Sequence, residues 1–503
     1  MSETAILAID QGTTSSRAIA FDLQGRAIAT AQEEFAQIYP EPGWVEHDPE
    51  VIWATVLSTA RKAEALAAAK GFRIEAAGVA NQRETVVIWD RETGRPIHNA
   101  IVWQDRRTAD ACRRLREDGV EPEVSAKTGL LLDPYFSATK IAWLLDTVPG
   151  ARAKAEAGRL AAGTIDSFLI WRLTGGARHV TDVTNASRTA LFDIAAMDWD
   201  EGLLTLFGVP RALLPEVCDC DRIEARVDRS ILESAPALAG VAGDQQAASA
   251  GQACFAPGEV KSTYGTGAFM LVNTGAEPVF SQNRLLTTIA YRAGGENAYA
   301  LEGSVLSAGA TIQWLRDGLG IISRAAEVEA LSAEADPDSG VYLVPAFTGL
   351  GAPWWAPDAR AAIHGLTRGA GRAEIARAAL DSVAYQTRDL LDAMAADGAE
   401  IARLKVDGGM ASNAAFVQRL ADLCELEAVR PVNTETTAWG AAVFAGLGAG
   451  LFASLDEAGA LWRAERSFEA MMPSKTVRAH LSGWREAVRR TLPEPATEVE
   501  TRL

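Results

Sequence analysis

One pattern, met twice, restricts what this chain can fold into. Thr4–Asp10 (T-A-I-L-A-I-D) is an apolar run of strand length, Gly12-Thr13-Thr14 is a turn, and Ser16–Asp22 reads as the hairpin partner. Glu259–Thr274 (E-V-K-S-T-Y-G-T-G-A-F-M-L-V-N-T) gives the same order again: strand, Gly/Thr turn, apolar strand. Such a loose repeat has a physical meaning, because two strand hairpins can present facing turns to one shared ligand. At 503 residues the chain is also too long for one ordinary core. The expectation is two domains, residues 1–248 and 249–503, with the crossover between Val241 and Gly251.

The intervening segments alternate strands with helices, which is the α/β class. A third strand runs through Arg26–Phe35. Asp48-Pro49 has the form of a helix start, a capping carboxylate followed by proline at the first helical position, and that helix should reach about Lys70. A strand at Ile74–Asn81 follows, then a hairpin through Val86–Val102 that turns near Glu92-Thr93-Gly94. In the second half we expect a helix over about Ala308–Asp317 and a strand at Val341–Pro345. An amphipathic helix comes next over Arg372–Ala396, with Ile375, Ala379, Val383, Gln386, Leu390 and Met394 along one side. The strand Arg403–Val406 then leads through Asp407-Gly408-Gly409 into a helix capped by Ser412. Ala438–Leu455 carries no charge, but it is mostly Ala and Gly and contributes little transfer energy to a membrane. It reads as a packed internal helix ending at its glycines.

Composition excludes several functions. Hydrophobic content of 48% with 23% charged residues describes a soluble globular chain. The net charge of −18 argues against a general nucleic-acid or anionic-membrane surface, though not against a small basic pocket for phosphate. The five cysteines are scattered, and no histidine follows Cys218 and Cys220 at a zinc spacing, so they read as reduced thiols of a cytoplasmic enzyme. The start, Met1 to Asp10, lacks the basic region and long apolar core of a secretion signal.

Five segments carry chemistry. In Asp10–Arg17 (D-Q-G-T-T-S-S-R) the backbone at Gly12 can approach a ligand closely. The hydroxyls and amides of Thr13, Thr14 and Ser15 can bind phosphate oxygens, Arg17 supplies a cationic fork, and Asp10 can hold Mg²⁺ through water. Alone, the octapeptide is equally a polar hairpin turn. No G-x-x-x-x-G-K-[ST] occurs, so a P-loop is unsupported. Gly265-Thr266-Gly267 is the matching turn, and Asp407–Asn413 (D-G-G-M-A-S-N) ends a strand and opens a helix, a common nucleotide position. Asp244, in Gly243-Asp244-Gln245-Gln246, can take the proton of an attacking alcohol, yet from spacing alone it reads first as the cap of a helix beginning at Gln245. Asn81–Thr85 (N-Q-R-E-T) sets a donor beside an acceptor, as a polyhydroxy substrate requires, and is otherwise a solvated turn. Trp103, Tyr135 and Phe269 can wall a carbon chain, although aromatics are usually core.

Taken in order, these motifs resemble the glycerol kinases, within the carbohydrate and polyol kinases of the actin/hexokinase-like fold. The resemblance runs from Ile6 to about Gly448. It adds Q-I-Y-P-E-P-G-W-V-E-H-D-P at Gln37–Pro49, V-W-Q-D-R-R-T at Val102–Thr108 and G-L-G-A-P-W-W at Gly349–Trp355. It implies two ribonuclease-H-like domains flanking a cleft, with ATP, Mg²⁺ and glycerol as ligands. It places Arg83, Glu84, Tyr135, Asp244 and Gln245 around glycerol, with Trp103 and Phe269 on its carbons and Asp244 as general base. Thr13, Thr14, Ser15, Arg17 and Thr266 resemble the phosphate residues, and Gly309, Gln313, Gly409 and Asn413 the rest of the ATP site. The family closes its domains over the substrates and often forms homodimers or homotetramers, and its reaction begins glycerol catabolism.

Regulation should differ from some relatives. Arg226–Gly240 has neither the Gly-Gly-Thr-Arg-like loop that binds fructose 1,6-bisphosphate nor a phosphorylatable His, and the tail from Ser474 lacks a match to a regulatory docking region. The competing readings are a kinase for xylulose, erythritol or glycerone, or an ATP-gated filament former or chaperone of the same fold. Against the first stands a pocket of Arg83, Glu84, Trp103 and Phe269 suited to three carbons. Against the second stands N-Q-R-E-T, which a protein without a small alcohol substrate has no use for.

Overall fold

A computed structural model describes residues 2–493. Met1, the first residue of the proposed non-signal start, and the tail after Pro493 lie outside the described residues.

The first repeat forms β1 (Glu3–Gln11) and β2 (Ser15–Asp22), antiparallel from Ala5↔Asp22 to Gln11↔Ser16. β3 (Ala27–Glu34) continues the meander, and α1 (Pro49–Ala69) starts as expected, with the Asp48 side chain accepting from the Glu50 amide. β4 (Phe72–Asn81) then pairs parallel with β1. The hairpin expected over Val86–Val102 forms inside a small separate sheet, with Val86 opposite Ile101. α2 (Ser137–Thr147) lies beyond it, and β5 (Ala237–Gly243) returns parallel to β4. The core strand order of this sheet is β3-β2-β1-β4-β5.

α3 (Asp244–Gly251) carries the chain across to the second repeat, β6 (Glu259–Tyr264) and β7 (Ala268–Gly275). β8 (Leu286–Ala293) and β9 (Glu296–Val305) follow, then α4 (Gly309–Asp317) and α5 (Arg372–Ala396). β10 (Arg403–Asp407), α6 (Ala414–Cys424), β11 (Ala428–Pro431), α7 (Thr436–Gly448), β12 (Ala464–Phe468) and α8 (Ser474–Thr491) complete the chain. This sheet runs β8-β9-β7-β6-β10-β11-β12. Stripped of its edge strands, it has the same order as the first, so the repeat seen in sequence is a repeat of topology.

Each sheet is buried on both faces, which is why β1 reads as one unbroken apolar run from Ala5 to Ile9. Ile52 and Val56 of α1 cover one face of the first sheet, and α7 covers the other. α7 is the uncharged Ala/Gly segment, packed inside as expected; among the described residues no helix is long and apolar enough to cross a membrane. Its small residues have a mechanical reason: α7 crosses α3 in backbone contact, and a Cβ on Gly440 would fall 1.7 Å from the Ala247 carbonyl oxygen. α5 spans the expected residues but is buried on more than one side, including Asp381 and Asp389. The five cysteines are free and buried.

Two local readings need correction. The helix after Asp407 is not capped by Ser412: Gly409–Ser412 forms a separate 3-10 turn, and the Asn413 side chain caps α6 by accepting from the Phe416 amide at 2.9 Å. Asp244 is not a cap preceding its helix either. It is the first residue of α3, after Gly243 in the N-cap position.

Candidate active site

Strand register assembles the site. Asp10 and Gln11 of β1 lie beside Ala80 and Asn81 of β4, and Asn81 lies beside Gly243 of β5. The carboxyl ends of three parallel strands therefore deliver D-Q-G-T-T, N-Q-R-E-T and G-D-Q-Q to one edge, where open α/β sheets bind ligands. In the second sheet Thr263 pairs with Asp407, so the Gly265–Gly267 turn and the Asp407–Gly409 turn leave side by side.

Arg83 and Glu84 are not a solvated turn. The Thr85 amide donates to the Arg83 carbonyl at 2.7 Å around Glu84, whose φ is 59°, giving a γ-turn with its central residue in the left-handed region. Both side chains are almost fully buried. The Arg83 guanidinium donates to Glu302 (Nη2 to Oε1, 3.0 Å), Arg188 donates to the same Glu302 oxygen at 2.9 Å, and Arg188 Nε donates to Glu84 Oε1 at 2.7 Å. Glu302 sits on β9 in the second half, so this network joins the two halves of the chain. Its two acids titrate in opposite directions. Glu302, forked by two guanidiniums, is held below the usual carboxylate range despite burial. Glu84 is pushed up, because burial outweighs Arg188 and the more distant Arg83.

Asp244 faces this pair. Its Oδ1 lies 3.4 Å from Arg83 Nε, it accepts from the Gln245 amide at 2.7 Å, and its side chain keeps 28% of its exposure. Burial raises its proton affinity, opposed by Arg83 and Lys261. Lys261 in turn bonds the Gln245 side chain. Trp103 stands edge-on to Tyr135 at 5.6 Å and to Phe269 at 6.1 Å between ring centroids, so the apolar wall draws one ring from β7 of the second repeat. The indole N–H of Trp103 donates to the Thr13 hydroxyl at 3.0 Å. The aromatic wall and the Gly12–Ser15 turn thus touch directly.

The Gln37–Pro49 and Val102–Thr108 motifs share one anchor. Arg107 is buried between Trp44 (3.9 Å from guanidinium carbon to ring centroid) and Trp143 (4.6 Å) and pairs with Glu46 and Asp105, each at 2.8 Å. The loop pinned this way brings Gln37 to the Thr13 carbonyl at 2.5 Å.

On the phosphate side, Asp10 is half-buried at the end of β1, and its carboxyl rises to about 7. Burial is the main cause; Arg17 opposes it, while Asp244 and Glu435 add to it. Arg17 pairs with Glu435, at the start of α7. Across the cleft the Gly309 amide donates to the Gly265 carbonyl and the Ala310 amide to the Thr266 carbonyl, at 2.9 and 3.0 Å. A Cβ on Gly309 would come within 2.6 Å of that Gly265 oxygen, whereas one on Gly409 would meet nothing within 4 Å. Gln313 is exposed one turn along α4.

Among the residues singled out from sequence, Arg83, Glu84, Asp244 and Gln245 are joined by charge and hydrogen-bond contacts, and Trp103, Tyr135 and Phe269 by ring contacts, with Thr13 reached through Trp103. Asp10, Thr14, Ser15 and Arg17 lie at the first hairpin turn, Gln313 is exposed on α4, and Asn413 caps α6. Thr266, Gly309 and Gly409 line the second sheet's turns. Arg188, Lys261 and Glu302 escaped the sequence reading. The available signal was a charge inside an otherwise apolar strand, as in V-K-S for Lys261 and L-E-G for Glu302.

This paired-sheet architecture with an interdomain site matches known domains. The N-terminal domain of the FGGY family of carbohydrate kinases matches residues 5–251, and its C-terminal domain matches residues 260–449. The chain belongs to the FGGY family of carbohydrate kinases. Its relatives there include a glycerol kinase of Allorhizobium ampelinum, 59% identical over 97% of this chain and 99% of the relative, and one of Rhodospirillum centenum, 60% identical over 97% and 98%. Among solved structures, the Plasmodium falciparum glycerol kinase with ADP superposes at a TM-score of 0.93 with 37% identity, covering 98% of this chain and 99% of that one. A gluconate kinase of Lactobacillus acidophilus shares the fold at 20% identity, with a TM-score of 0.87 over 97% and 98%. Within the family, the chain's place is among the glycerol kinases.

Proposed function

We propose that the chain transfers the γ-phosphoryl group of ATP to glycerol, giving sn-glycerol 3-phosphate and ADP. The observation carrying this reading is the position of Asp244 at the start of α3, with its carboxylate 3.4 Å from Arg83 Nε and near enough to Asp10, which precedes the Gly12–Ser15 turn, to raise that carboxyl's pKa. A primary hydroxyl bound to Arg83 and Glu84 attacks the γ-phosphorus in line. The new O–P bond forms as the bond to the β,γ-bridging oxygen breaks, ADP departs, and Asp244 takes the hydroxyl proton. Trp103, Tyr135 and Phe269 pack on the carbon chain, and Gln245 completes the pocket. Thr13, Thr14, Ser15 and Arg17 bind phosphate oxygens from one side, and Thr266 from the other. Gly309, Gln313, Gly409 and Asn413 receive the rest of the nucleotide. The division at residue 248 then separates a glycerol-binding unit from one bearing most of the adenosine site.

The residues also fit Mg²⁺. Asp10, Asp244 and Glu435 crowd negative charge beside the phosphate turn, yet among the described residues no three ligating side chains converge into a metal cage. Mg²⁺ keeps several of its waters and is commonly held by one or two carboxylates together with substrate phosphates. Asp10 would hold its water shell, and the ion would neutralise charge on the β- and γ-phosphates.

The test is ADP release from Mg-ATP with glycerol, dihydroxyacetone, erythritol, xylulose, gluconate or no acceptor. Stimulation by glycerol above all others is expected. Preference for a longer acceptor would overturn the three-carbon pocket, and no stimulation by any of them would overturn the kinase reading itself.

A further inference from the structure

The side chain of Lys140 has no obvious reason to be where it is. It is fully buried in the first turn of α2, where the helix dipole disfavours a cation, and among the described residues it makes no ion pair. Burial pulls its pKa down to about 8. Its ammonium makes two hydrogen bonds, to the Tyr135 carbonyl at 2.7 Å and to the Glu84 carbonyl at 3.2 Å. The Ser137 hydroxyl, in the same helical turn, donates to that Glu84 carbonyl at 3.1 Å.

Those two carbonyls belong to two residues of the candidate site and lie close enough to share one ammonium. Glu84 is the left-handed centre of the γ-turn, a conformation that persists only where its surroundings enforce it. Tyr135 carries the ring that packs on Trp103. Arg188 fixes the Glu84 carboxylate, and the Thr85 amide closes the turn onto the Arg83 carbonyl, but neither bond engages the Glu84 carbonyl. Donors from α2 act on that carbonyl.

We propose that Lys140, supported by Ser137, is a positioning residue for the alcohol substrate: one buried ammonium ties the Glu84 turn to Tyr135 and fixes the separation of these two residues. Lys140 touches neither substrate nor nucleotide, so its effect should be confined to the alcohol. The inference rests on the reading of Glu84 and Tyr135 as glycerol ligands.

The experiment is steady-state kinetics of the full chain carrying Lys140→Met, Ser137→Ala or Glu84→Gln, each with glycerol and ATP varied separately. Lys140→Met removes both bonds at similar volume, and hydrogen bonds to charged groups are strong enough that glycerol KM should rise roughly ten- to hundredfold. The ATP KM and the kcat at saturating glycerol should stay near the parent values. Ser137→Ala should move glycerol KM the same way by less, and it keeps the proposal testable if Lys140→Met does not fold. A joint rise in both KM values would mean general loosening and would overturn the positioning role. An unchanged glycerol KM in both α2 variants, with Glu84→Gln still raising it, would sink the clamp alone. If Glu84→Gln also has no effect on glycerol KM, the pocket assignment beneath it falls instead.

Discussion

Under the proposed assignment, the two sides of the site recognise ligands by opposite physical means. On the Arg83/Glu84 side the groups are charged, buried and held by one another: Arg83, Arg188 and Lys261 against Glu84, Glu302 and Asp244. On the Gly265/Gly409 side the backbone and hydroxyls do the work, and Gly409 faces open space. A small neutral polyol offers only hydroxyls, so discrimination requires donors and acceptors fixed before it arrives, at the cost of desolvating them. A nucleotide brings its own charge and area, and a glycine-lined surface has only to avoid obstructing it. Substitutions on the two sides should therefore fail differently.

The largest effect should come where the charged side meets the reacting atoms. Asp244→Asn keeps the shape and removes the base, which should lower kcat by roughly 10²–10⁴-fold while ATP binding changes little. The parent enzyme should also lose turnover as pH falls through the raised pKa of Asp244, because only the carboxylate can accept the proton. Near-parent kcat in Asp244→Asn, with its acid limb intact, would remove Asp244 from the chemistry.

Next is the buried network. Glu302→Gln removes the carboxylate that both guanidiniums share, leaving Arg188 with Glu84 and Arg83 with Glu84 and the partly exposed Asp244, and breaking a buried pair costs about 3–5 kcal/mol. Urea unfolding should show that loss, and glycerol KM should rise because Arg83 and Arg188 are no longer fixed. A variant with the parent's unfolding midpoint would mean that the network contributes nothing to holding the pocket.

The nucleotide side should respond more weakly. Gly309→Ala places a methyl 2.6 Å from the Gly265 carbonyl oxygen, and forced repacking of this kind costs about 1–3 kcal/mol. The start of α4 must shift, so the ATP KM should rise with glycerol KM unmoved. Equal shifts in both would erase the distinction between the two sides.

The legibility of the sequence follows the same divide. Wherever function rests on backbone geometry, local pattern was enough: the Gly/Thr turns, the strands before them, and α5 to within its observed ends. The repeated hairpin was legible because a strand-turn-strand unit is read from consecutive residues, whereas the strand order the two sheets share depends on pairings distant in sequence. Asp244 and the Arg83/Glu84 turn were visible as motifs, but not the reason they are fixed. Glu302 lies more than two hundred residues from Arg83, and nothing local in N-Q-R-E-T announces a buried partner on another sheet. The cap of α6 was misassigned for a related reason: Ser412 and Asn413 are both good caps, and only the intervening 3-10 turn decides between them.

The smallest expected effect probes the contact between the two sides. Trp103→Phe keeps an aromatic wall against Tyr135 and Phe269 but deletes the indole donor to Thr13. A neutral hydrogen bond of this kind is worth about 0.5–1.5 kcal/mol, so the change should stay near tenfold or below. What matters is which constant moves. If the indole only walls the glycerol carbons, glycerol KM should rise and the ATP constants should not. If it also orients the Thr13 hydroxyl toward the phosphates, kcat should fall or the ATP KM should rise while glycerol KM stays close to the parent value. We expect the second pattern, because phenylalanine conserves the apolar contact and removes only the bond. The first would mean that the pocket and the phosphate turn touch without influencing each other.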